Sequence, residues 1–102
     1  MVEISPQFLK DIRDRLRIKH TRFDKEITDL IGEARADLLS GGILADKVND
    51  ESDPLIRRAI ATYIKAEFGL DNADSEKYRA AYSRMRIHLM VSKDYTVAVE
   101  ED

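Results

Sequence analysis

Two histidines, a scatter of serines and a run of acidic residues are the groups that could do chemistry in this chain. His20 and His88 are far apart, and neither belongs to the HExxH pattern that would supply two zinc ligands and a general base. A lone histidine on a helix is usually a surface or core residue. Ser5 and Ser75 stand at expected helix starts, where capping of backbone N–H groups explains them. Ser40, Ser52, Ser83 and Ser92 lack a nucleophile elbow and a flanking triad pattern. Gly41-Gly42 follows a helix and sits in no GxxxxGKS/T or GxGxxG motif, so it cradles no phosphate. The acid pairs Asp46 with Asp50 and Glu51 with Asp53 resemble fragments of a calcium loop. They lack the EF-hand order and its final glutamate. With no cysteine there is no disulfide framework, thiolate metal site or thiol nucleophile. The residues define no catalytic, cofactor or metal site, and the expectation is a protein that is not an enzyme and takes no cofactor.

The chain is 102 residues long, with 43% hydrophobic and 36% charged residues. That is one domain, too apolar to be wholly disordered. No apolar run approaches the ~20 residues of a membrane span. The first residues show neither a basic nor an apolar leader region, so no secretory signal and no membrane partner are expected. The net charge of -3 is a sum of blocks. Residues 10–25 are net +4, 46–53 net -3, 67–76 net -4, 77–93 net +5, and the last nine net -4. A basic helix beside an acidic segment fits a solvated face, complementary contacts between copies or with a partner, or contact with phosphate.

Four segments carry helical periodicity. The first opens at Ser5-Pro6, a cap followed by proline at the first helical position. Its Phe8, Leu9, Ile12 and Leu16 fall within about 100° of arc. The second runs from about Thr21 to Ser40, with Phe23, Ile27, Leu30, Ile31, Ala34 and Leu38 on one stripe of roughly 100°. The third opens at Asp53-Pro54 and stops at Gly69. Its apolar arc, from Leu55 to Ala66, is about 180° wide, which suggests the central helix. The fourth runs from about Asp74 to Met90, with Tyr78, Tyr82, Met85 and Leu89 in a seam of about 60°. Residues 41–53 read as a mobile acidic loop. Residues 91–102 read as a flexible acidic tail with a β-prone stretch, Tyr95 to Val99, that has no partner strand. The expected fold is therefore all-α: a small bundle of about four helices over residues 1–90, with a long loop between helices two and three and the tail over 91–102.

Exposed apolar groups carry more information than polar ones. On the fourth helix Ile87 points about 180° from the seam and Met90 about 100° from it. Arg79 and Arg86 flank them on one side, and Lys77, Arg84 and His88 on the other. Ile87 is then a second packing face or an interface anchor. A helix-turn-helix with the basic fourth helix in a DNA groove is the competing reading, but the connection between helices two and three is long for that motif.

The order and spacing of four phrases resemble the head–tail connector (adaptor) family of tailed bacteriophages, siphophage type. They are residues 8–18 (FLKDIRDRLRI), 23–34 (FDKEITDLIGEA), 53–69 (DPLIRRAIATYIKAEFG) and 78–89 (YRAAYSRMRIHL). The resemblance implies a structural role in the virion, at the head–tail interface, after assembly in the host cytoplasm. It implies a ring under the portal protein that extends the DNA channel and docks the next connector or stopper protein. DNA would pass through without specific binding. The ring would follow the portal's cyclic symmetry, about twelve-fold, with head-to-tail contacts between copies. Some similar proteins are monomers until they meet the portal. On this reading Arg84, Arg86, Ile87, Met90, Tyr95, Val97 and Val99 are the expected partner contacts, and the 41–53 loop faces the lumen or a neighbour. The alternative is a small helical nucleic-acid-binding or DNA-packaging accessory protein.

Overall fold

The computed structural model describes residues 3–68 and 73–98, and these form helices without strands. Helix α1 spans Pro6–Arg15, α2 Asp24–Ser40, α3 Ala45–Val48, α4 Pro54–Glu67, α5 Ser75–Met90 and α6 Lys93–Thr96. Both proline-led starts form as expected. The Ser5 hydroxyl accepts from the Phe8 N–H at 3.1 Å. The Asp53 carboxylate accepts from the Leu55 and Ile56 N–H groups at 2.9 and 3.1 Å. Each satisfies donors that a helix start leaves unpaired. Helix α2 begins three residues later than expected, at Asp24, and Asp24 and Glu26 complement its positive end. The Arg13 guanidinium meets the Asp24 carboxylate at 3.2 Å and ties α1 to that start. The glycine stop expected at Gly69 lies outside the described residues; α4 is helical to Glu67.

Helix α4 is the centre, as its wide apolar arc predicts, packing on α5 along one side and on α2 along the other. Ile12, Ile27, Ile31, Leu38, Ile56, Ile60, Ile64 and Leu89 are fully buried between them. Phe23, expected in the core, is instead exposed at the edge, where its ring meets His20 and Phe68 at 5.3 and 5.5 Å. The polar Arg35 is buried among these apolar groups, with its guanidinium over the Phe8 ring and 3.5 Å from Glu51. Glu51 in turn accepts from the Ser5 N–H at 3.0 Å.

Helix α1 ends in a Schellman motif. The Ile18 N–H donates to the Arg13 carbonyl and the Arg17 N–H to the Asp14 carbonyl, both at 3.0 Å. That closure requires a left-handed residue, and the position is filled by Arg17 at φ 60°. An arginine pays roughly 1 kcal/mol there that glycine does not. Arg17→Gly is therefore expected to raise stability by about 1 kcal/mol in urea unfolding; an unchanged or lower midpoint would contradict the left-handed assignment.

Two expectations are corrected. The 41–53 connection is not an open loop: Ala45–Val48 make a helical turn, and Ile43 and Val48 are buried in the core. Two apolar residues five apart can both reach the interior when the chain between them turns. Gly42, at φ +97°, makes the exit from α2. The segment after Met90 is not β-structured, because Lys93–Thr96 form α6. Local hydrogen bonds decide this against β-propensity. The Thr96 hydroxyl donates to the Ser92 carbonyl at 2.9 Å, and the Leu44 N–H donates to the Tyr95 carbonyl at 2.9 Å.

Candidate functional site

Helices α2 and α5 are locked together at one end by a polar cluster around Asp37. The Tyr82 hydroxyl donates to the Asp37 carboxylate at 2.6 Å. The Arg86 guanidinium lies 3.0 Å from the same carboxylate and donates to the Asp37 carbonyl at 3.1 Å and the Ser40 hydroxyl at 3.2 Å. Gly41 permits this approach, since a Cβ there would sit 3.0 Å from the Arg86 guanidinium and 3.1 Å from the Met90 side chain. Burial, then the bond to Asp37, pushes the Tyr82 phenol well above its ordinary pKa.

A second tie holds α6. The Tyr95 hydroxyl reaches both Asp53 carboxylate oxygens, at 2.9 and 3.1 Å, so one carboxylate caps α4 and anchors α6. Burial first, then this hydrogen bond, pushes the Tyr95 phenol up from 10.0 to about 12. The folded pKa is raised, so neutral Tyr95 favours the folded chain. Its contribution is complete below pH about 10 and is lost as pH climbs towards 12. An alkaline titration followed by phenolate absorbance is expected to show this late step, and Tyr95→Phe to remove it. Ionisation of every tyrosine near pH 10 would contradict the docking of α6.

The expected partner residues divide into two sets. Arg86, Met90 and Tyr95 are half-buried and engaged within the chain: Arg86 as above, Met90 beside the Arg86 guanidinium at 3.2 Å, and Tyr95 on Asp53. Arg84, Ile87 and Val97 face outwards, Ile87 at 59% and Val97 at 57% exposure. Val99 lies outside the described residues. Val91, one turn beyond Ile87, adds a 75% exposed apolar residue to that outer face.

A further face goes unnoticed in the sequence. Along the seam between α4 and α5 runs a groove whose two hollows, about 230 and 320 Å³, share Arg58, Arg84 and Met85. One end is apolar, with Leu55 and Leu89; the other carries Lys65 and Lys77. Arg58, Arg84 and Lys77 have no ion-pair partner among the described residues. The signal in the sequence was the excess width of the α4 stripe: Leu55, at its edge, is 43% exposed. Among the described residues no three His, Asp or Glu side chains gather as a metal site, and no helix is long and apolar enough to cross a membrane.

The molecule thus offers an all-helical scaffold with exposed apolar and basic surfaces. A family model described as phage connector protein matches residues 8–96. The chain belongs to that phage connector family, and the match takes in all six helices except the first turn of α1. No curated protein and no solved structure gives a significant match.

Proposed function

We propose that this chain is a structural, non-enzymatic head–tail connector that assembles as a ring on the portal of a tailed phage. The ring extends the DNA channel and presents a surface to the next connector or stopper protein. The match to the connector family over residues 8–96 carries this reading. The surface is consistent with it, because Ile87, Val91 and Val97 expose large apolar side chains that contact with a partner would bury. Arg84, Ile87 and Val97 are the proposed direct contacts, and Val99 extends that set along the chain. Arg86, Met90 and Tyr95 hold α5 and α6 in place beneath them. The 41–53 connection is the proposed lumen or neighbour surface, carrying the exposed acid Asp46 and the half-buried Asp50.

Portal binding tests this. The wild-type chain is expected to co-elute with purified portal protein in size-exclusion chromatography. Ile87→Glu is expected to weaken capture about tenfold or more, as loss of a central apolar anchor does. Its helix content and thermal midpoint should not change, since Ile87 packs on nothing essential in the chain. Full capture of Ile87→Glu would remove this residue from the interface.

A further inference from the structure

We infer that the α4–α5 groove of one copy receives residues 97–102 of a neighbouring copy. This deepens the ring reading above and rests on it, but it makes its own claim about which surfaces meet. The groove changes character along its length. Leu55, Met85 and Leu89 line one end, Arg58 and Arg84 the middle, and Lys65 and Lys77 the far end. Residues 97–102 read Val97-Ala98-Val99-Glu100-Glu101-Asp102, apolar and then acidic in the same order. The lengths also agree. Leu55 to Lys65 spans about 15 Å of helix, and six extended residues span about 20 Å.

The chain's own segment does not occupy the groove. Val97 is 57% exposed and does not line either hollow. Helix α6 is held at the Leu44 N–H and the Asp53 carboxylate, which fixes where residue 97 emerges. A groove and a matching segment at different places on one chain make a head-to-tail contact, the kind that closes into rings. Duplex DNA fits less well, because phosphate would leave Leu55, Met85 and Leu89 uncovered.

The absence of cysteine from the native chain makes a direct test simple. Tagged His88→Cys chains are mixed with untagged Val97→Cys chains, at high protein concentration and again with portal, under mild oxidation. Each variant carries one thiol, so a tagged–untagged pair can only form between chains. The expected result is that heterodimer, well above a control pairing Val97→Cys with Lys25→Cys. Arg84→Glu in the tagged chain should cut the yield about fivefold. Glu100→Lys with Glu101→Lys in the other chain should restore it. No heterodimer above control in either condition would overturn the inference, as would a yield indifferent to both charge reversals. Displacement of the cross-link by duplex DNA that binds Arg58 and Arg84 would overturn it too. A heterodimer without portal binding would keep this contact and reject the portal reading. Portal binding without a heterodimer would do the reverse.

Discussion

Ile60→Ala is expected to lower the stability of the folded chain by about 3 kcal/mol, within the 2–5 that an isoleucine truncated in a core costs. Ile60 is 1% exposed and lies in the central helix, which packs against both α2 and α5. Truncation removes transfer free energy and also leaves a cavity, because neighbours held by two helices cannot collapse into it. A domain of this length has about 5–15 kcal/mol in total and no disulfide to constrain its unfolded state. The thermal midpoint should therefore fall by about 15 °C. Circular dichroism during heating and urea titration measures it. Leu55→Ala, at the exposed edge of the same helix, should cost about 1 kcal/mol or less. Equal losses for the two variants would mean that α4 is not buried on the side assigned to it.

Asp37→Ala is expected to cost about 2 kcal/mol, through a different mechanism. The carboxylate accepts the Tyr82 hydroxyl at 2.6 Å and faces the Arg86 guanidinium at 3.0 Å. Removing it strands the hydroxyl of a buried tyrosine, the costly way to lose a hydrogen bond. Arg86 suffers less, because the Asp37 carbonyl and the Ser40 hydroxyl still accept from it. Tyr82→Phe removes donor and need together and should cost about 1 kcal/mol. In a double-mutant cycle the two changes should be non-additive by about 1 kcal/mol. The Tyr82 phenol, now held above its ordinary pKa by burial and by Asp37, should titrate earlier in Asp37→Ala. Additive losses and an unmoved Tyr82 titration would remove Asp37 from the latch between α2 and α5.

The long helices were legible because each carries its own signals. Ser5-Pro6 and Asp53-Pro54 mark two starts, and the stripes of α1, α2 and α4 name most of the core. Helices α3 and α6 were not legible. Each has four residues, too short for a 3.6-residue period to show, and each is held by partners distant in sequence. Tyr95 illustrates this: its hydroxyl bonds to Asp53, 42 positions away, which no local propensity encodes. The same limit explains Phe23, whose place on the α2 stripe implied burial while its rings of contact lie at the edge. On the surface, Ile87 was read correctly as outward-facing. Arg86 was not separable from Arg84 by pattern, since both are basic residues beside the seam. Only the approach of Asp37 and Gly41 shows that Arg86 serves the fold. The α4–α5 groove needs two helices to exist, so neither helix alone could announce it.

Electron microscopy of purified portal protein, alone and mixed with an excess of this chain, tests the connector assignment most directly. The expected image is a new ring of density beneath the portal, coaxial with its channel and sharing its symmetry. Portal particles unchanged by the mixture, with the chain remaining unbound, would contradict the assignment.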